Sequence, residues 1–290
     1  MELKLISRHI VLAVVAAFFA IPLRPASAQS AQPAPRNAQT SEQSDFWSWI
    51  TGDYSVAVGA APYLAPRYEG SKEMTLSVMP QFSLGKTGAV TRFSSINDNA
   101  AIAILDTGSF QLGPVGKLLS QRDGGTSRDL NGLKTIRLGV EAGVFANLYP
   151  ASWLRLRAEV RQGIRSHDGL VADFWGDAFA DLTPTLRLSG GPRLSIATQR
   201  YFDAYYGVDL ARSAISGLAV YAPAGGLHST GFGGALTWKA TDRITTSLFA
   251  EYTRLLGAAA DSTLVAQRGT PDQFLVGVSA TYRFDFSIGK

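Results

Sequence analysis

From 273 to 284 the chain reads QFLVGVSATYRF, an alternation that holds for twelve residues. Phe274, Val276, Val278, Ala280, Tyr282 and Phe284 occupy one set of positions, and Gln273, Leu275, Gly277, Ser279, Thr281 and Arg283 the other. A period of two is that of a strand, because successive side chains point to opposite faces of a sheet. One face is wholly apolar and turns aromatic toward its end; the other is mostly small or polar. In a soluble barrel the apolar face would point inward. The aromatic end, taken with the leader described below, predicts the inverse: hydrocarbon outside and a wet lumen inside.

The same rhythm recurs along the chain, at 54–62, 75–84, 89–96, 100–105, 110–119, 136–148, 153–161, 170–180, 185–197, 227–238 and 244–256. Its clearest instance is 153–161, where Leu154, Leu156, Ala158 and Val160 oppose Arg155, Arg157, Glu159 and Arg161. A strand with four charges on one face must either wet that face or pair every charge. Counting 89–96 and 100–105 separately gives twelve strands, and bacterial outer-membrane barrels carry an even number. Connection lengths supply a second check. The links 85–88, 106–109, 149–152, 181–184 and 240–243 are tight, whereas 63–73, 121–135, 200–224 and 257–272 are long loops. Short turns at one rim and long loops at the other are the pattern of such barrels. The predicted fold class is therefore all-β: an antiparallel transmembrane β-barrel of twelve strands.

Residues 1–28 have the layout of a secretory signal. Lys4 and Arg8 precede the apolar run from Ile10 to Ile21, and Ala26-Ser27-Ala28 fits the cleavage rule, which places the cut between Ala28 and Gln29. The run is short for a membrane span, and no other stretch would make a transmembrane helix. A membrane-resident product must then span as a closed barrel. Residues 29–50 begin with Ala, Gln, Pro and Ser and have little to bury, so they are expected to be a disordered leader. Phe46, Trp47 and Trp49 at its end suit an interfacial anchor or the edge of the first strand, and a buried-core role equally. The barrel is assigned to 51–290.

Composition narrows the partners. There is no Cys, which excludes disulfides and thiolate metal sites. The net charge of +4 becomes +2 once Lys4, Arg8, Arg24 and Glu2 are removed with the signal (27 − 3 = 24 bases, 23 − 1 = 22 acids). That balance argues against nucleic acid as a partner. The lumen is expected to receive Lys117, Arg137, Arg155, Arg157, Arg161, Arg187, Arg193 and Arg283, together with Glu141, Glu159, Asp173, Asp177 and Glu251. Eight bases and five acids make either an anion-tolerant pore or a structural ladder that fills the lumen. The ladder is preferred, because paired charges are the least costly way to keep ions away from water. Tyr149, Trp153, Trp238, Tyr252, Tyr282 and Phe284 sit near strand ends and are expected to form interfacial girdles.

Signs of catalysis are few. His167 and His228 are the histidines left after cleavage, and neither lies in a hydrolase motif. His228 and Ser229 are neighbours on a strand, so they should face opposite sides and fail to pair. No catalytic, cofactor-binding or metal-binding residues are assigned, no cofactor is expected, and the chain is read as a non-enzyme. Tyr201, Tyr205 and Tyr206 in YFDAYYGVDL offer either a partner surface or ordinary loop packing.

Several blocks resemble the MltA-interacting protein/OmpV family: RYEGSKE at 67–73, DGLVADF at 168–174, YFDAYYGVDLARSAISGLAVYAPAGGL at 201–227, ATDRITTSLFAEYTRLLGAAADSTLV at 240–265, and DQFLVGVSATYRF at 272–284. The likeness spans most of 54–284. It implies an outer-membrane barrel in contact with membrane lipid, acting as a scaffold between a murein transglycosylase and a murein synthase. Porin-like or adhesive roles are its alternatives, and a lipid-modifying enzyme a more distant one. One departure is that DFSIGK follows the aromatic ending. Either the strand continues, with Phe286 and Ile288 on the apolar side, or a short tail protrudes.

Overall fold

The computed structural model describes residues 52–86 and 92–289. The expected signal (1–28), the leader (29–50) with Phe46, Trp47 and Trp49, and the stretch 87–91 lie outside the described residues. The strands are β1 (Gly52–Pro66), β2 (Met74–Lys86), β3 (Ala100–Ala101), β4 (Leu105–Asp106), β5 (Phe110–Leu119), β6 (Gly139–Ala151), β7 (Leu154–Ile164), β8 (Leu170–Thr183), β9 (Leu186–Ala197), β10 (Gly226–Lys239), β11 (Ile244–Leu255) and β12 (Asp272–Ile288). They form one sheet in the order β2-β1-β12-β11-β10-β9-β8-β7-β6-β5-β3, with β4 also paired to β5. Every long strand contributes a side chain to one interior cavity, so the sheet is curled into a cylinder.

Burial decides the orientation of the faces. Arg155, Arg157, Glu159 and Arg161 of β7 are between 0% and 3% exposed, whereas Val160 between them is 42% exposed. On β12, Phe274, Val276 and Val278 face outward while Gln273 and Ser279 are buried. The apolar sides look out and the charged sides look in, as the alternation requires of a barrel in lipid. The even-numbered face of β12 continues past the YRF ending, with Phe286 and Ile288 also outward and the strand intact to Ile288.

Two segments differ from the sequence reading. Residues 92–99 are not a strand; they run inside the cylinder, where Asn97 Nδ2 donates to Glu251 at 3.0 Å and Asn99 Nδ2 to Glu159 at 2.8 Å. The expected strand 100–105 is two fragments, β3 and β4, bent about residues 102–104. The strand total of twelve is thus reached with the sheet's material divided differently.

The second difference is helical. The long loops hold α1 (Gln199–Tyr205), α2 (Leu210–Ser216), α3 (Gly257–Ala260) and α4 (Thr263–Arg268). Their end signals are local and legible. Asp209 accepts from the Arg212 amide at 2.8 Å as an N-cap, Ser262 accepts from the Val265 amide at 3.2 Å, and Gly217 closes α2 at a φ of 74°. Short helices of this kind have no period-two signature, and a reading tuned to alternation passes over them.

Candidate functional site: the lumen and its cap

The lumen holds a lattice of two networks of paired charges centred on β6 to β9, beside an open space of about 400 Å³ toward β1, β2, β10, β11 and β12. Arg155 bridges Asp98 at 2.5 Å and Asp177 at 2.5 Å, and Asp177 in turn holds Arg193 at 2.6 Å. Arg161 binds three carboxylates: Glu141 at 2.7 Å, Asp173 at 2.5 Å, and Glu159. Glu159 also takes Arg157 at 2.7 Å, and the Arg157 guanidinium lies over the Phe145 ring at 4.5 Å. Charges this deeply buried are tolerated only when paired and hydrogen-bonded. Asp98 reaches the lattice from the internal segment 92–99, not from a strand, which fixes that segment across the bore.

This membership corrects the sequence reading in three ways. Arg137 is an exposed loop residue, Arg187 pairs with Asp181 at the short-turn rim, and Arg283 pairs with Asp285. None of the three is in the lattice. Of the expected set, with Asp98 added, five bases (Lys117, Arg155, Arg157, Arg161, Arg193) and six acids (Asp98, Glu141, Glu159, Asp173, Asp177, Glu251) line the lumen, Lys117 as a cavity wall outside the ion pairs, a near balance where a positive excess was expected. Tyr149 also leaves the girdle. Its hydroxyl donates inward to the Phe93 carbonyl at 3.1 Å, while Trp153, Trp238, Tyr282 and Phe284 stay outward.

Over the long-loop rim, five connections pack into a cap. Tyr201, Phe202 and Tyr206 of α1 bury themselves against Val171, Ala197, Leu255 and Val265. A second cluster joins Tyr68, Leu130, Val208, Leu218 and Leu264 from four separate loops. Arginines bolt the loops together. Arg122 lies over the rings of Tyr68 and Tyr205 and donates to the Tyr205 carbonyl at 2.6 Å. Arg268 donates to the carbonyls of Asp129, at 2.6 Å, and of Ser216. Tyr201 and Tyr206 are therefore buried, and Tyr205 half-buried, in this packing, the plainer of the two sequence readings.

Between cap and lattice lies a cavity of about 370 Å³ whose walls include Lys117, Trp175, Arg193, Phe249 and Glu251. Tyr201 and Glu69 close it from the cap side. Glu69 descends from the loop 67–73 and meets His228 at 3.0 Å, while the Tyr201 hydroxyl donates to its other oxygen at 2.9 Å. Burial alone would raise the Glu69 pKa, but His228 and Tyr201 outweigh it and hold the carboxyl down at about 2. His167 stands symmetrically, 3.0 Å from Glu141, and both imidazoles meet the Tyr201 ring edge-on. His228 and Ser229 both line the cavity, contrary to the expected opposition: the register shifts between Leu227 and Ser229, and that bulge re-aims His228.

A cylinder with an apolar exterior, a buried ionic interior and long loops at one rim is an outer-membrane β-barrel. The model of the MltA-interacting protein MipA matches residues 58–284, and the chain belongs to that family. No curated protein matches it. Among solved structures it is similar to a bacterial polysaccharide outer membrane secretin, at 9% identity over 80% of this chain and 98% of the other, with a TM-score of 0.41. The neisserial surface protein A shares 11% identity over 80% and 99%, TM-score 0.26. OprG of Pseudomonas aeruginosa shares 10% over 81% and 96%, TM-score 0.24.

Proposed function

We propose that this is a closed scaffold barrel, exported on the cleaved segment 1–28 and seated in the outer membrane to hold a murein transglycosylase beside a murein synthase. The observation that carries the reading is obstruction at two levels. The Arg155–Asp98 bridge ties an internal segment across the bore, and the loops of the cap pack over one mouth. Each buried pair must offset a desolvation cost of several kcal/mol per ion. The family's printed name, an interacting protein of MltA, supports the partner class.

Two measurements test it. In planar bilayers the barrel should give no steady ion-selective steps; regular steps would favour the porin alternative. Immobilised barrel should retain the transglycosylase above the level held by an unrelated barrel. Equal retention would remove the scaffold.

A further inference from the structure

Three side chains from separate elements converge where the cap meets the lumen. Ser195 of β9 and His228 of β10 lie on adjacent strands, and the bulge that re-aims His228 brings its Nδ1 to 3.3 Å from Ser195 Oγ. Glu69 Oε1 stands 3.0 Å from Nε2 on the far side of the ring. With Nε2–H given to the carboxylate, Nδ1 is left as the acceptor for the serine hydroxyl proton. That is the relation of acid, base and nucleophile on which serine hydrolysis depends, with the two ring nitrogens exchanged. The exchange is chemically neutral, since either nitrogen serves as base when the other is held as N–H.

We propose that Ser195, His228 and Glu69 form a hydrolytic centre for small carboxylic esters inside the lumen. A latch for the loop 67–73 would need Glu69, His228 and Tyr201 only. It would not need Ser195 at the remaining nitrogen, half-buried and lining the cavity. The cavity beside them, of about 370 Å³, has room for a small ester. Trp175, Phe249 and Leu275 form an apolar wall for the acyl chain.

In the first step Ser195 Oγ bonds to the ester carbonyl carbon and its proton passes to His228 Nδ1. The carbon–oxygen bond to the alcohol breaks, and the alcohol leaves with that proton. Water then attacks the acyl-serine, gives a proton to Nδ1, and releases the acid as Oγ takes the proton back. The sum is ester plus water to acid plus alcohol. His228 and Ser195 act on the reacting atoms; Glu69 is a positioning residue that holds the tautomer.

The full barrel in detergent micelles is treated with a fluorophosphonate probe, and the adduct is mapped by mass spectrometry. An adduct on Ser195 is expected, lost in Ser195→Ala and unchanged in Ser213→Ala, a serine of α2 outside the cavity. The labelling rate should fall about 100-fold or more in Glu69→Gln and in His228→Asn, the size expected when a positioned base is lost. Heat-modifiable gel migration establishes that each variant is folded. If His228→Asn does not fold, Glu69→Gln and Ser195→Ala carry the test. An unlabelled Ser195 in folded protein, or an unchanged rate in folded Glu69→Gln, overturns the proposal.

Discussion

Arg161→Met is the most informative perturbation of the lattice. The substitution removes one cation and leaves Glu141, Glu159 and Asp173 without their common partner. Their remaining support differs. Glu141 keeps His167 at 3.0 Å, and Glu159 keeps Arg157 at 2.7 Å and Asn99 at 2.8 Å. Asp173, with a side chain 14% exposed, can draw water from the cavity. The cost therefore belongs mainly to Glu141 and Glu159, at 2% and 0% side-chain exposure. Leaving a buried charge uncompensated costs about 3–5 kcal/mol. For a domain of this size that corresponds to a Tm lower by on the order of 10 °C. The assay is the temperature at which the barrel loses its fast-migrating form on a gel, backed by urea unfolding in micelles. Pairing Arg161→Met with Glu159→Gln should recover part of the loss, because the second change removes a stranded charge. A single variant within about 1 kcal/mol of wild type, the range of exposed ion pairs, would refute the view that the lattice is dry and structural.

Four further outcomes follow from the same geometry. Asp98→Ala strips Arg155 of its bidentate partner on the internal segment; it should destabilise the barrel by about 3 kcal/mol and speed exchange of the 92–99 amides. Gly70 sits at a φ of 95° with Val265 only 2.7 Å from where a Cβ would stand. Gly70→Ala should cost about 1–2 kcal/mol for the left-handed backbone alone, read as easier proteolysis of the cap. Glu69 has a folded pKa depressed below its ordinary 4.5, so its stabilisation of the loop is present above about pH 4.5 and lost as the pH falls through about 2; pepsin nicking within 67–73 should rise across that window. Val278→Arg puts a charge on the outward face of β12 and should cost about 2–4 kcal/mol if that residue lies near the bilayer midplane, measured by urea unfolding in lipid.

How much of this was legible in the chain depends on the range of the interaction. The β7 alternation fixed which side of the sheet carries charge, because a period of two is a local property and four ionic side chains admit only one face. The lattice's membership was not local. Arg137 and Arg283 share parity with Arg155, yet one precedes the start of β6 and the other lies near the end of β12, so neither reaches the bore. Asp98 was invisible as a lattice member, because nothing in SINDNA announces that a connection will turn inward. His228 and Ser229 depart from the pattern for a definite reason: strict alternation forbids them a shared face, and the bulge that permits it depends on pairing with β9. Asp209, Gly217 and Ser262 did carry helix-end signals, and attention to caps would have found α2 and α4.

Tyr201 is where the cap touches both histidines above the lattice. Its ring stands edge-on to both imidazoles, at centroid distances of 4.9 Å to His167 and 5.1 Å to His228. His167 leads through Glu141 to Arg161 and so into the strands; His228 meets Glu69 and so the loop 67–73. A perturbation of either carboxylate therefore acts on the same aromatic side chain. Tyr201→Phe keeps the ring contacts while removing the hydroxyl's bond to Glu69; Tyr201→Ala removes both. If the coupling runs through the ring, Tyr201→Ala should loosen the cap and lower the stability cost of Arg161→Met, while Tyr201→Phe leaves that cost unchanged. Strictly additive effects in the Tyr201→Ala, Arg161→Met cycle would mean that cap and lattice are merely adjacent.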